Sequence, residues 1–486
     1  MDEIATYGVN IRISPFDALE VLAVDIKVSP NEHASASIRF VIEEEKEGEY
    51  LSLARSDLPV SIAQTDGAED ACVLFTGLIA DMEVTKTNRL KVMELKLVSA
   101  TRQMDVTERT RTYQDAALTY RNVLSSLGYY EDYAFSMREG DGVAIGDLVV
   151  QFKETDWAFV KRLASHFNTC VIPDYLSGNV GYFFGIPEKS SAKAIDPIYY
   201  RVMKGVGEYV SKSLNHVSGL IEGDSLHYIV RDRAVYRMGE EVRFKNRDLR
   251  VFSIHSVLEG QLLENYYTLK SDAGFKTKKA HNFRMVGASL GCKVVGVQKD
   301  TVQVHVYEDN DDYGTGAKWF AYSTVYSSPD GTGWYAMPEI GDELRLYFPS
   351  EHEAQAYTIS AVNVDTPGMG GGAASPEAGI LPLAAPRTHP ETKTVINKEL
   401  KEVSLYPDKI VMTNNKDMMV VVDDAEGVII QSAKKVTFKS DEAISMVTSQ
   451  ADFNLVGADG VTITVGGTKV VLNKNVAFEG GTLQMQ

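Results

Sequence analysis

From about Ile410 onward, apolar residues come in i, i+2 pairs, and the pairs recur every eight residues. Val420, Val428, Val436 and Ile444 form one series, and Val422, Ile430, Phe438 and Met446 follow it two positions later. After a one-residue slip the pattern resumes as Phe453/Leu455 and Val461/Ile463, and a second slip leads to Val470/Leu472 and Phe478. Polar and turn residues separate the pairs: Asp423-Asp424, Ser432, Asn454, Gly466-Gly467 and Asn473. Such a pair places two side chains on one face of a short strand. A fixed period with intervening turns marks a repeat architecture whose units cannot bury their apolar faces alone. Eight residues supply one strand and one turn, whereas a single-chain solenoid uses about 20 or more residues per repeat. The missing faces must come from other chains, and a closed threefold assembly is the simplest answer. The pattern predicts an intertwined trimeric β-helix, a needle whose axis these fifteen residues fill. A β-sandwich with closely spaced hairpins is the other reading, but sandwiches seldom hold a fixed step over so many strands.

Upstream the period is two. Val9-Ile11-Ile13, Ala36-Ile38-Phe40-Ile42 and Val92–Val98 read as strands. In Leu74–Ile79, Gly77 marks a bulge or barrel bend. A helix is predicted over about Tyr113–Leu127, with Ala116, Tyr120, Val123, Leu124 and Leu127 on one stripe and Gly128 at its end. Leu148–Phe152 reads as a strand. Thr155 can cap a following helix, with Asp156 in its first turn and Trp157, Val160, Leu163, Ala164 and Phe167 on its buried stripe. A strand at Cys170–Ile172 stops at Pro173, and Ser177-Gly178-Asn179 turns a hairpin into Tyr182-Phe183-Phe184. Met285–Val306 reads as two strands about a turn at Gln298-Lys299-Asp300, and Trp334–Phe348 as a turn (Pro338, Gly341-Asp342) feeding an alternating strand.

The run Gln151–Phe167 (QFKETDWAFVKRLASHF) resembles the segment typical of VgrG proteins and of the hubs of contractile phage tails. Trp334–Phe348 is similar to the W…P…G-D-E…F stretch of that family's OB-fold domain, and the octads follow in the family's order. The resemblance implies a mainly β chain with short helices: hub β-barrel domains over 1–280, an OB-fold over 281–365, and the β-helix needle over 405–486. It further implies two similar barrel domains per hub, a duplication that cannot be seen in the residues themselves. Expected partners are two further copies in a homotrimer, the tail tube protein and baseplate proteins, with transient contact with a target cell envelope. Where the family's best-known phage spike carries a lysozyme domain, residues 366–404 are rich in Gly, Ala and Pro and read as a linker too short for a catalytic domain. The family's His-x-His tip metal site has no counterpart among the nine histidines. The apolar end around Phe478 and Leu483-Gln484-Met485 is therefore expected to take a separate small cap protein, or to fold back on itself.

The chain of 486 residues has room for three or more domains. Its net charge of −18 argues against nucleic acid as a partner. Met1-Asp2-Glu3 is acidic where a signal peptide would be basic, so synthesis in the cytosol without one is expected, followed by incorporation into a phage-like or injection particle. Cys72, Cys170 and Cys292 are odd in number and widely spaced, as free thiols would be.

Asp309-Asn310-Asp311-Asp312 suggests a calcium loop, but Tyr313 and Phe320 stand where ligands belong, so a solvated loop is the better reading. His352-Glu353 lacks a second histidine, and no Walker loop or nucleophile elbow is present. His166 reads as a surface residue. No catalytic, cofactor or metal site is predicted. The expected role is structural, as hub and membrane-puncturing spike of a contractile particle. A trimeric cell-wall hydrolase or a receptor-binding fibre are the alternatives.

Overall fold

The structure, a computed structural model, describes residues 10–65, 71–87, 90–189, 191–259, 262–309, 318–326, 328, 335–360, 391–397, 399–450, 453–459 and 461–472. They fall into two compact units, Met1–Val364 and Asp365–Gln486.

The first unit opens with β1 (Asn10–Ser14), β2 (Glu20–Val28), β3 (Ser35–Ile42), helix α1 (Glu47–Leu53), β4 (Pro59–Thr65), β5 (Ala71–Thr87) and β6 (Leu90–Val98). Period-two alternation makes these strands: Ala36, Ile38, Phe40 and Ile42 of β3 and Met93, Leu95 and Leu97 of β6 all face one core. Gly77 is required where β5 passes β6, since a Cβ there would lie 2.4 Å from the Val98 carbonyl oxygen and 2.7 Å from the Phe75 ring. A strand–helix layer follows: β7 (Glu108–Tyr113), α2 (Tyr120–Ser125), β8 (Ala134–Met137), β9 (Val149–Thr155), α3 (Asp156–Ser165), β10 (Val171–Pro173) and β11 (Gly181–Phe184). The helix expected over Tyr113–Leu127 is thus much shorter. Tyr113 ends a strand, and Thr119 starts the helix through a reciprocal cap, its Oγ1 accepting from the Asn122 N–H at 3.2 Å while Asn122 Oδ1 accepts from the Thr119 N–H at 3.0 Å.

The chain then returns to the first sheet with β12 (Lys193–Ala194), β13 (Tyr199–Lys204), α4 (Val206–Leu214), β14 (Leu226–Asp232), β15 (Glu241–Phe244), β16 (Arg247–Glu259) and β17 (Leu262–Lys270). The sheet has twelve strands in the order β1-β4-β5-β6-β3-β2-β16-β17-β14-β13, with β15 against β16 and β12 against β15. Two halves of this order are the same path. β4-β5-β6-β3-β2 matches β15-β16-β17-β14-β13 strand for strand, and the registers match as well. In each half a long strand passes through two residues into its hairpin partner, at Thr87↔Leu90 and Glu259↔Leu262. Each long strand bulges at the same distance before that turn, at Ala80 and Phe252. The outer neighbours agree too, Pro59 opposing Leu78 and Glu241 opposing Arg250. The halves join where β2 pairs with β16, over a shared core.

A smaller sheet completes the unit: β18 (Ser289–Gln298), β19 (Thr301–Val306), β20 (Trp319–Ala321), β21 (Glu343–Tyr347) and β22 (Tyr357–Ser360), in the order β20-β19-β18-β21-β22. Lys299 makes the expected turn at φ 51°. A bridge between Tyr322 and Thr358 ties the two edges together, with the Ser323 N–H donating to the Thr358 carbonyl at 2.8 Å. Trp334 lies outside the described residues.

The second unit is an antiparallel meander of β23 (Lys393–Ile396), β24 (Glu402–Leu405), β25 (Lys409–Thr413), β26 (Met418–Asp423) and β27 (Gly427–Ser432), and a hairpin of β28 (Val461–Val465) and β29 (Thr468–Leu472). β23 and the start of β24 fall inside the stretch that composition assigns to a linker. There Thr394-Val395-Ile396 supplies β-branched residues, and the Lys401 N–H donates to Asn397 Oδ1 at 2.9 Å to close the turn. The glycines and prolines of 366–390 lie outside the described residues, as do Phe478 and the rest of the end beyond Leu472.

Candidate functional site: a buried ionic junction and an apolar sheet face

Strand β9 is buried on both sides. Val149 joins the core around α3, while Leu148, Val150 and Phe152 join the core of the smaller sheet with Leu290, Val304 and Leu346. This one strand holds the strand–helix layer and the five-stranded sheet together. The polar residues beside it do the same job with charge.

Thr155 caps α3 as its position suggests, accepting from the Ala158 N–H at 3.2 Å. Asp156 does more than face the helix dipole. Its fully buried carboxylate accepts from Arg111 Nη1 at 2.8 Å, Gln151 Nε2 at 2.8 Å, the Tyr130 hydroxyl at 2.6 Å and the Tyr129 hydroxyl. Burial pushes the carboxyl above its ordinary range, against the pull of the Arg111 and Arg109 guanidiniums. Six residues on, Arg162 is 4% exposed. It donates to Glu154 at 2.9 and 3.0 Å, to the Val150 carbonyl at 2.6 Å, and to Glu353 of the smaller sheet's last loop at 2.8 Å. Burial works against its charge, but the two carboxylates outweigh it and keep the guanidinium protonated.

A second clasp uses Gln114, whose Nε2 donates to the Val304 carbonyl at 3.0 Å and to Asp309 Oδ2 at 2.7 Å. Asp309 also accepts from the Val306 N–H at 3.0 Å and from the Thr112 hydroxyl. The first residue of the supposed solvated loop is therefore a half-buried connector between β7 and β19; residues 310–317 lie outside the described residues. Among the described residues no group of His, Cys, Asp and Glu could hold a metal ion.

His166 is not the surface residue its helix position suggests. Its Nδ1 lies 2.8 Å from the Tyr120 hydroxyl, and burial beside Arg162, Lys279 and His281 pushes its pKa down to about 3. Because the folded value lies below the ordinary 6.5, the contribution to stability is full above that pH and is lost as pH falls toward 3. Between pH 7 and pH 5 this one group should remove about 2 kcal/mol. Urea midpoints at the two pH values check this: His166→Gln should shrink the difference, and an unchanged difference would remove His166 from the account.

In the second unit the register gathers the apolar pairs on one face. Val420 opposes Ile430 and Val422 opposes Val428 across β26 and β27. The same face continues through Ile410 and Met412 to Leu405, Val403 and Val395. All nine side chains are 38–68% exposed, whereas the opposite face buries Val411, Val421 and Ser404. Ile410/Met412 and Val403/Leu405 are i, i+2 pairs that the eight-residue count passed over, because the strands there start seven residues apart. Val461 and Ile463 lie on β28, opposite Leu472 and Val470 of β29. Val436, Phe438, Ile444, Met446, Phe453 and Leu455 are exposed and belong to no strand, and among the described residues none offers their backbone a ladder.

No family model and no curated protein matches the sequence. Solved structures do match in fold. An E. coli protein, c3393, described as a component of the type VI secretion system similar to T4 bacteriophage tail proteins gp27 and gp5, superposes with a TM-score of 0.50 at 12% identity, covering 72% of this chain and 99% of that one. A chain of the half-lidded Francisella PdpA–VgrG complex gives 0.53 at 8% identity, covering 87% of each. The lidless form gives 0.52 at 7%, covering 87% of this chain and 98% of that one. The chain shares the fold of these chains, mainly β with short helices.

Proposed function

We propose that this chain is the structural hub and spike of a contractile injection particle, a phage tail, tailocin or type VI-like apparatus, and that it works as a homotrimer. The observation that carries the reading is the exposed apolar face of β23–β27 with the unladdered octads after it. A contiguous apolar surface of that extent is a contact surface, and three copies cover one another's faces around a common axis while lending each other the missing ladders. In this reading residues 1–280 are the hub, 281–365 an OB-fold, the segment up to 404 a connector whose end is already strand, and 405–486 the needle. The duplicated half-sheets support it further, because three copies present six similar elements to a sixfold tube. The likeness to a type VI secretion component and to a chain of a VgrG complex points the same way. Tube and baseplate proteins are the partners, and the target envelope is the surface the needle meets. The work is mechanical: the ionic junction keeps hub and OB-fold one body under load, and no residue is assigned a catalytic role. Light scattering of the full chain at micromolar concentration should give three times the 53.6 kDa chain mass. A monodisperse monomer overturns the proposal.

A further inference from the structure

The duplicated sheet contains a template for its own contact with a second copy. Within the chain, β2 of the first half lies along β16 of the second, with Val28 opposite Ile254, Lys27 opposite His255, Ile26 opposite Ser256 and Asp25 opposite Val257. The matching surfaces at the other ends of the halves are open. β13, the counterpart of β2, ends the sheet and is exposed at every position. β5 is the counterpart of β16; beyond Leu78 it pairs with β6 alone.

The registers identify the counterparts residue by residue. Ile26 opposes Ala36, which opposes Leu97; Val202 opposes Tyr228, which opposes Leu269. Leu97 and Leu269 stand at the same step past their hairpin turns, so Val202 is the counterpart of Ile26, and by the same count Val84 is that of Ser256 and Met82 that of Ile254. At the closed seam Ile26, Ile254 and Ser256 are buried, whereas Val202 is 46% exposed and Met82 and Val84 are half-buried. The fold has built this seam twice and filled it once.

We propose that β13 of one copy adds to the open edge of β5 in the next, with Lys204 opposite Met82, Met203 opposite Glu83, Val202 opposite Val84 and Arg201 opposite Thr85. The inference rests on the trimer reading and says which hub surfaces meet. The two surfaces differ, so the contact is heterologous, and a threefold ring uses both on every copy. Charge agrees with the pairing: β13 brings Arg201 and Lys204 to a strand bearing Asp81 and Glu83, and Arg201 lies diagonal to Glu83. The added strand also covers an edge that would otherwise invite indiscriminate pairing.

Directly opposed residues of antiparallel strands stand about 4.5–5.5 Å apart at Cα, within the reach of a disulfide. In full-length protein with Cys72→Ser, the pair Val84→Cys and Val202→Cys should give covalent dimers and trimers on mild oxidation, seen on non-reducing gels. Val84→Cys with Tyr200→Cys, two residues out of register, should cross-link at least tenfold less. Light scattering of the reduced samples separates the two claims. Trimer mass without the cross-link, or with equal cross-linking by the shifted pair, overturns the β13–β5 seam and leaves the trimer standing. Monomer mass overturns both.

Discussion

Replacing Val428 by Asp will leave the chain folded and unable to trimerise. Val428 is 68% exposed in the single chain, so within one copy the new carboxylate meets water. It sits opposite Val422 on the apolar face, and threefold closure would bring three such carboxylates toward one dry axis. Burying a valine contributes roughly 1.5–3 kcal/mol. An unpaired buried charge costs several kcal/mol per ion and outweighs that loss. Light scattering should give the mass of one chain, with the thermal unfolding of the first unit unchanged. Ser432→Asp is the control. Ser432 ends β27, and its Oγ accepts from the Lys434 N–H at 3.2 Å, a bond that an Asp carboxylate can also accept. That variant should remain trimeric. Equal behaviour of the two would show that this face is not the contact.

Arg162→Met will destabilise the first unit by about 3–5 kcal/mol. The loss leaves Glu154 and Glu353 facing each other without their shared cation and the Val150 carbonyl without its donor. Glu353→Gln should cost much less, because Arg162 keeps Glu154. In the double variant part of the stability returns, since one of the two orphaned charges has gone. Urea denaturation of the three variants at pH 7.5 measures this. Arg162→Met with wild-type stability would show that the apolar core around β9 alone holds the smaller sheet.

The sequence reading passed over β2, β4 and β12 to β17, but β1, β3, β5, β6, β9 to β11, β18, β19 and β21, the cap at Thr155, the turn at Lys299 and the apolar pairs on β26 and β27 were legible. All depend on residues within a few positions of one another: alternation for strands, a hydroxyl three residues before an N–H for the cap, turn residues between apolar pairs. The linker reading missed β23 because composition over forty residues masks a four-residue strand. The needle reading missed Val403/Leu405 and Ile410/Met412 because it counted a single step.

Local pattern thus determined, on its own, where about half of the strands lie and that the C-terminal strands carry an apolar face left exposed within one chain. Tertiary structure alone decided the rest. The duplication within the twelve-stranded sheet resides in registers and a pair of bulges, while the two halves share little beyond buried alternation, which any strand shows. Arg162 meets Glu353 across 191 positions and Gln114 meets Asp309 across 195, and His166 meets the Tyr120 hydroxyl across 46. Contacts of that kind depend on which strands pair, and many pairings satisfy the same alternation. The choice among them is made by the packing of the whole chain, which places a charge beside its partner only after the sheets have closed.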